Sequence, residues 1–268
     1  MLSGVPEKED EVVVPAAVRM IAAGRRARPV WLNALGGTTF EVTDDAGTTF
    51  VKFAPAGSGL PLAREAERLG WAQRFTPVPT VLNSGTDPSG TWLHTAALPG
   101  TNAVHARWLA DPEPAVIAIG RGLRALHDAL PVAECPFSWS AENRLASACE
   151  RAGRNQIDTA IWHPDYQHLS VAEALKLAVD RPPIDRLVVC HGDACAPNTL
   201  VDDHGQWAGH VDMATLGVAD RWADLAIASW SLSWNFGPGW ETVFYTAYGV
   251  QPDAERIAYY RLLWELGP

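Results

Sequence analysis

The sequence predicts an α+β chain of two lobes, a small β-rich N-terminal lobe followed by a larger and mainly helical C-terminal lobe. Short runs of alternating apolar and polar residues, separated by Gly and Asp turns, extend from Val30 to Leu98, as in antiparallel strands. After Gly100 the apolar residues recur at helical spacing instead. The change falls at Pro99-Gly100, so we expect lobes at residues 1–98 and 99–268.

The composition is that of a globular chain without targeting or membrane segments. With 268 residues, 47% of them hydrophobic, each lobe can bury a core. The four cysteines form neither a CxxC pair nor a zinc-binding spacing, so we expect reduced thiols. No secretion signal precedes the fold, and no uncharged apolar run approaches the about 20 residues of a membrane span. We expect a cytoplasmic protein with a frayed tail at residues 1–11 and no membrane contact.

The charge of the chain bears on its partners. A net charge of −10 argues against nucleic acid and favours a cationic small-molecule ligand. The alternative is that the acidic surface only maintains solubility. The sequence leaves the oligomeric state open, and a monomer is the simplest expectation.

The N-terminal lobe is predicted to begin with a helix over Val12–Ala23. A glycine-containing loop and a hairpin turn then connect three strands, which are predicted over Val30–Leu35, Phe40–Thr43 and Thr48–Phe53. A helix follows over Leu62–Phe75, and two further strands complete the lobe, at Thr80–Leu82 and Thr91–Leu98.

This order of elements suits a lobe that covers the phosphates of ATP and presents a lysine to them. The lysine would be Lys52, with Glu65 or its rival Glu67 as the partner on the following helix. The candidate contacts to nucleotide are the loop Gly36, Gly37, Thr38 and Thr39, and the backbone of Ala96–Leu98 facing adenine. A plain hairpin turn and a solvated lysine would give the same pattern.

The C-terminal lobe is predicted to be a series of helices around one irregular loop, Ile161–Leu169. Ser170 is the expected N-cap of the helix that follows this loop. The helices are predicted over Pro112–Leu130, Glu142–Arg151, Ser170–Asp180, Arg221–Trp234, Trp240–Tyr248 and Pro252–Glu265.

The strongest motif is H-G-D-x-x-x-x-N, formed by residues 191–198, which an apolar run ending in Asp212 follows. Phosphoryl transfer from Mg-ATP uses such a set, in which Asp193 accepts the proton of the attacking hydroxyl. Asn198 and Asp212 supply the oxygen ligands that Mg²⁺ prefers. The sequence therefore predicts a small-molecule kinase with ATP and Mg²⁺ as cofactors.

Three motifs resemble those of the aminoglycoside phosphotransferases, antibiotic-resistance kinases with a protein-kinase-like two-lobed fold. They are HGDACAPN, GHVDMATLGVADRWADLA and the pair Leu126-His127 and Cys135-Pro136-Phe137. Within the family, three segments look most like the 3''-phosphotransferases that act on streptomycin. They are the motif HGDACxPN at residues 191–198, the TAALPG hinge at 95–100 and the FVKFAP strand at 50–55. The resemblance implies ATP-dependent phosphorylation of streptomycin at its 3''-hydroxyl, and hence antibiotic resistance.

The resemblance also implies roles for individual residues. Asp193 would be the catalytic carboxylate, Asn198 and Asp212 would bind Mg²⁺, and Lys52 would touch the α- and β-phosphates with Glu65 as its partner. The motif's histidine and two later aspartates would pack and brace the catalytic loop; these are His191, Asp220 and Asp224. Acidic contacts to the substrate would come from Asp165 and Glu265.

Two positions depart from the family pattern. The family commonly has D-x-G-R-x-G after the metal aspartate, where this chain has Thr215 in place of the arginine. Kanamycin-type 3'-enzymes end in Asp-Glu and two aromatics, whereas here Trp264 replaces the aspartate before Glu265. The second departure favours streptomycin over kanamycin.

Two further readings stay open. One is a kinase for another small alcohol, such as kanamycin, choline, homoserine or a sugar. The other is a nucleotide-binding pseudokinase without turnover, for which Thr215 is the only support. Because Lys52, Asp193, Asn198 and Asp212 are all present, the sequence favours an active kinase.

Overall fold

A computed structural model describes residues 12–33, 35–45 and 47–267 of the chain. The chain divides into two compact units, Met1–Leu98 and Pro99–Pro268. The first unit is built on a β-sheet and the second is mainly helical, so the expected α+β class is confirmed. The tail expected at residues 1–11 lies outside the described residues.

The first unit is a five-stranded antiparallel sheet with two helices. The strands are β1 Ala27–Leu32, β2 Thr38–Asp44, β3 Gly47–Pro55, β4 Val81–Asp87 and β5 Gly90–Ala96, in the order β1-β2-β3-β5-β4. The helices are α1 Ala16–Ala22 and α2 Leu62–Ala72. One face of β2 and β3 buries Phe40, Val42 and Val51, which pack with Val18 of α1.

Several boundaries in this unit correct the sequence-based prediction. The first strand, predicted over Val30–Leu35, runs from Ala27 to Leu32. Thr38 and Thr39, expected in the glycine loop, already belong to β2, because Thr39 pairs with Lys52 and Thr38 with Phe53 across the sheet. The strand predicted at Thr80–Leu82 extends to Asp87, where a tight turn returns the chain into β5.

The second unit contains seven helices and five short strands among its described residues. The helices are α3 Ala106–Ala110, α4 Pro112–Ala129, α5 Ala141–Gly153, α6 Val171–Val179, α7 Trp222–Phe236, α8 Glu241–Tyr248 and α9 Ala254–Glu265. The strands are β6 Thr101–Asn102, β7 Leu187–Cys190, β8 Thr199–Val201, β9 Trp207–His210 and β10 Gly217–Asp220. They form a three-stranded sheet, β6-β8-β9, and an antiparallel pair, β10-β7.

The core of this unit surrounds α7, whose residues from Trp222 to Leu232 are all buried. Other elements therefore enclose this helix on every side, and its buried polar residues, Asp224, Ser229 and Ser231, form hydrogen bonds within the unit. Helices α4 and α8 pack closely because α4 has glycine at the contact. A Cβ at Gly120 would lie 2.8 Å from the Phe244 carbonyl oxygen.

Other expectations can be compared directly with the structure. Ser170 caps α6 as predicted, since its hydroxyl accepts the Glu173 N–H and the Glu173 carboxylate returns to the Ser170 N–H. All four cysteines are free thiols. Among the described residues, no helix combines the length and the apolar character that crossing a bilayer requires.

Candidate active site

The H-G-D-x-x-x-x-N motif forms the loop between β7 and β8. Gly192 has φ 84°, and a Cβ there would lie 2.4 Å from the Thr215 carbonyl oxygen, so the loop needs glycine at this position. The buried His191 ring donates from Nε2 to the Val211 carbonyl at 2.9 Å and accepts the Asp193 N–H at Nδ1 at 3.2 Å. His191 therefore packs the loop, as expected, and fixes the backbone of Asp193.

Asn198 and Asp212 lie on adjoining segments. The Asn198 side chain donates from Nδ2 to the Asp193 carbonyl at 2.9 Å, and its own carbonyl accepts the Val211 N–H at 3.0 Å. Asp212, directly after Val211, has φ 65°, a left-handed conformation that is rare for residues other than glycine. Such strain is typical of functional sites.

The carboxyl groups of Asp193 and Asp212 influence each other. Burial raises the pKa of Asp193, and the negative charge of Asp212 raises it further, while His191, Cys195 and Asn198 oppose the rise. The Asn198 amide oxygen and the Asp212 carboxylate are hard oxygen donors, which fit Mg²⁺ and not a soft metal. A divalent cation would remove the repulsion between the two acids.

Asp224, in the first turn of α7, holds the loop of the H-G-D-x-x-x-x-N motif by hydrogen bonds to its backbone. Its fully buried carboxylate accepts the N–H of His191 at 2.6 Å and the N–H of Gly192 at 2.8 Å. His127 of α4 donates to the same carboxylate from Nε2 at 2.9 Å, and its Nδ1 shares a hydrogen bond of 2.8 Å with the Tyr248 hydroxyl. Burial alone would raise the pKa of Asp224, but the hydrogen bond and charge of His127 lower it overall.

The bracing role expected for Asp224 is thus observed, whereas that expected for Asp220 is wrong. The Asp220 carboxylate accepts the N–H of Asp185 at 2.8 Å and of Trp222 at 3.1 Å, so it connects the start of α7 to the segment that precedes β7. Thr215, at the family's arginine position, donates its hydroxyl to the His191 carbonyl at 3.2 Å. It supports the loop by a hydrogen bond and brings no charge.

In the first unit, the structure pairs Lys52 with Glu65. The Nζ–Oε1 distance is 2.7 Å, and the Glu65 side chain is buried beneath the sheet. Glu67 lies on the exposed side of α2, which removes it as a rival. The pair belongs to β3 and α2, so the sheet and its helix position the ammonium group together.

The glycine loop has an additional residue that the sequence did not reveal. The Asn33 side-chain oxygen accepts the N–H of Leu35 and of Gly37, each at 2.9 Å, while Gly36 adopts φ 83°. This side chain holds the loop in a tight turn. Of the four candidate loop residues, only Gly36 and Gly37 lie in that turn, because Thr38 and Thr39 belong to β2.

The end of β5 and the two residues after it are the segment that the sequence predicts to face adenine. The Ala96 N–H donates to the Thr80 carbonyl at 2.9 Å and the Ala97 N–H to the Thr48 carbonyl at 3.2 Å. Within the described part of the chain, the Leu98 N–H donates to no backbone carbonyl. The protein thus uses the amides of Ala96 and Ala97 internally, and the adenine contact of this segment stays a prediction.

The two substrate candidates meet at one residue, His163. The Glu265 carboxylate accepts the His163 N–H at 3.2 Å, and burial raises its pKa while that hydrogen bond opposes the rise. Asp165 is exposed, and its carboxylate lies 3.3 Å from His163 Nδ1. The loop Ile161–Leu169 thus brings together two acids that are 100 residues apart in the sequence.

Comparison with known proteins gives a consistent result. Residues 33–260 match the model of the phosphotransferase enzyme family. An aminoglycoside 3'-phosphotransferase of Streptomyces fradiae is 38% identical over 79% of this chain and 82% of its own length. A streptomycin 3''-kinase of Streptomyces griseus is 30% identical over 84% of this chain and 86% of its own.

The fold has a solved counterpart as well. The structure of aminoglycoside phosphotransferase APH(3'')-Id from Streptomyces rimosus in complex with ADP and streptomycin superposes with a TM-score of 0.73 at 26% identity. The superposition covers 93% of this chain and 95% of that one. The expected kinase-like fold is confirmed.

Proposed function

The chain belongs to the phosphotransferase enzyme family, and from this premise we propose that it transfers the γ-phosphoryl group of ATP to a hydroxyl group of an aminoglycoside. The observation that carries the proposal is the meeting of Asp193, Asn198 and Asp212 on two hydrogen-bonded segments. The relatives named as aminoglycoside phosphotransferases supply the class of substrate.

The residues of the chain divide the chemistry among themselves. Asp193 orients the acceptor hydroxyl and takes its proton as the new bond to phosphorus forms. Asn198 and Asp212 would hold Mg²⁺, which when bound neutralises charge on the phosphate oxygens. Lys52, kept in place by Glu65, would stabilise the α- and β-phosphates. Positioning and charge stabilisation account for most of such catalysis.

The first candidate for the acceptor is streptomycin at its 3''-hydroxyl. The streptomycin 3''-kinase relative and the streptomycin-bound structure of similar fold support it. The C-terminal end supports it too, because Trp264 replaces the aspartate of the kanamycin-type pattern. The remaining acid, Glu265, is held by the His163 backbone.

The second candidate is a 3'-hydroxyl of another aminoglycoside, and sequence identity favours it. The 3'-phosphotransferase relative is 38% identical, compared with 30% for the streptomycin kinase. A kinase for choline, homoserine or a sugar has no support of this kind. We therefore propose an aminoglycoside as the substrate class and leave the choice between the two hydroxyl groups to experiment.

The deciding experiment is incubation of the protein with Mg-ATP and one drug at a time. Streptomycin, kanamycin and a 3'-deoxy aminoglycoside form the panel, and mass spectrometry with phosphorus NMR gives the number and position of added phosphoryl groups. Phosphate on streptomycin at O3'' supports the first candidate. Modification of kanamycin but not of the 3'-deoxy drug supports the second.

Asp193→Ala provides the control for the chemistry. It should abolish transfer to any drug while ATP binding, followed by calorimetry, remains measurable. Transfer to none of the drugs by the unsubstituted protein would contradict the proposed class of substrate. Near-normal kcat in Asp193→Ala would contradict the assignment of the catalytic carboxylate.

A further inference from the structure

We propose that Trp234, supported by Trp230, forms an aromatic platform that binds a cationic sugar ring of the acceptor. The inference rests on the proposed aminoglycoside kinase function and adds a binding residue to it. Trp234 lies in the last turn of α7 and is 47% exposed, although the preceding residues of this helix up to Leu232 are buried. An exposed indole that stacks on a buried aromatic residue offers a flat face, with one apolar and one polar edge, to a ligand.

The platform has a rigid base. The ring centroids of Trp230 and Trp234 are 5.1 Å apart at an interplanar angle of 45°. Trp230 is itself buried against His163 at 4.8 Å and Tyr166 at 5.8 Å. The Arg261 guanidinium lies 5.2 Å from the Trp230 ring centroid and is anchored to the Ala226 carbonyl. Because Trp230 is held in this way, Trp234 presents its ring from a fixed support.

The platform borders the catalytic loop. Ser231, between the two tryptophans in the sequence, accepts the Ala196 N–H at its hydroxyl oxygen at 2.9 Å. Asn235 holds this hydroxyl in place, since its Nδ2 donates to Ser231 Oγ at 3.1 Å and to the Ser231 carbonyl at 2.7 Å. Residues three and four apart on a helix are neighbours on one face. Trp234 therefore shares a face of α7 with the residue that touches the loop of Asp193.

The charges around the platform select the kind of ligand. His163, which contacts Trp230, carries Glu265 at its N–H and Asp165 near its ring. An aromatic face attracts cations and also packs against the C–H face of a sugar ring. The Glu265 and Asp165 carboxylates contact His163 on one side of Trp230, whereas the Arg261 guanidinium lies 5.2 Å from the Trp230 ring centroid. The two acids outnumber this one cation and favour ammonium or guanidinium substituents. The combination fits an amino sugar or a guanidinium-bearing ring better than a neutral sugar or an anion.

The test compares three substitutions at this position, Trp234→Ala, Trp234→Leu and Trp234→Phe. Acceptor affinity is measured by calorimetry with streptomycin and with kanamycin, and KM for the drug that is turned over is measured in parallel. We expect the Ala and Leu variants to lose about tenfold in affinity, because both lack a π-face, and the Phe variant to retain most of it. Leu177→Ala, which truncates an apolar side chain of similar exposure, 52%, on α6, is the matched control and should bind normally.

The outcomes separate this inference from the function on which it rests. Affinity of Trp234→Leu and Trp234→Ala within twofold of the unsubstituted protein would overturn the platform while leaving the kinase intact. Equal losses in the Phe, Leu and Ala variants would also overturn it, because a retained aromatic face would then fail to preserve binding. Retention by the Leu variant equal to that by the Phe variant would overturn it as well, because apolar bulk and not the aromatic face would then be sufficient. Failure of the unsubstituted protein to bind or phosphorylate either drug would overturn both proposals together.

Discussion

Replacing Asp224 by asparagine tests how the catalytic loop is held. In the structure this buried carboxylate accepts three hydrogen bonds, from the N–H groups of His191 and Gly192 and from the His127 ring. The two backbone donors lie on different oxygens, Oδ2 and Oδ1. An amide has only one oxygen, so each of its two orientations turns an NH₂ group against a buried backbone N–H.

The size of the effect follows from this count. A buried donor without an acceptor costs about 1–3 kcal/mol, and replacing a charged acceptor weakens the remaining bonds by about 1 kcal/mol. The sum of about 2–4 kcal/mol corresponds to roughly 30- to 1,000-fold in rate if it is borne by the active conformation of the loop. If it is borne by global stability instead, Tm should fall by at least about 4 °C.

The assay is steady-state kinetics with the phosphorylated drug, well below Tm, beside a thermal-shift measurement. We expect Asp224→Asn to lower kcat by at least about 30-fold with a smaller change in KM for ATP. Tyr248→Phe is the graded control, because it removes only the hydroxyl behind His127 and should leave kcat within about threefold. An Asp224→Asn enzyme with kcat within threefold and an unchanged Tm would refute the reasoning.

Three other predictions concern the rest of the molecule. Glu65→Gln removes the negative partner 2.7 Å from Lys52 and should raise KM for ATP about tenfold, with little change in KM for the drug; an unchanged KM for ATP would contradict the pairing. Burial, with a smaller contribution from a nearby histidine, holds the pKa of His210 well below 6.5, so the folded state keeps this ring neutral while the unfolded chain takes up a proton below pH 6.5. The neutral His210 ring therefore contributes fully to the free energy of unfolding above about pH 6.5, and this contribution is lost at up to about 1.4 kcal/mol per pH unit below it. Denaturant titrations between pH 7.5 and 5 should show a free energy of unfolding that falls less steeply with decreasing pH for His210→Gln than for the unsubstituted protein. Gly122→Ala would place a methyl carbon 2.3 Å from an indole ring and should destabilise by about 1–3 kcal/mol, whereas Gly70→Ala, on α2 with nothing within 4 Å, should be neutral or stabilising in the same thermal scan.

The catalytic loop was predictable because its functional residues lie close together in the sequence. Asp193 and Asn198 share one loop, and Asp212 follows the next strand pair, so their spacing indicates their proximity. The choice between Glu65 and Glu67 required knowledge of which side of α2 packs against the rest of the protein. Leu62, Glu65 and Leu69 are buried on one side of α2, which leaves Glu67 exposed.

Other features depend on contacts that no local pattern records. The hydrogen bond between His127 and Tyr248 joins residues 121 positions apart. Thr38 and Thr39 were assigned to the loop because glycine precedes them, but pairing with β3 extends β2 to include them. Trp230 and Trp234 of α7 lie mainly among alanine, leucine and serine residues, so the sequence of this helix could not indicate that Trp234 emerges at the surface while Trp230 stays buried.

The left-handed backbone of Asp212 affects how mutations at this position are interpreted and which residues evolution can place there. Aspartate and asparagine tolerate this conformation better than other residues with a side chain, so Asp212→Asn changes charge with little backbone penalty. Asp212→Ala and Asp212→Glu alter the backbone preference and the ligand at once. The loss caused by Asp212→Ala would therefore overstate the role of the carboxylate, because it includes the backbone penalty. The same backbone conformation, independently of metal binding, restricts this position to the few residue types that tolerate it.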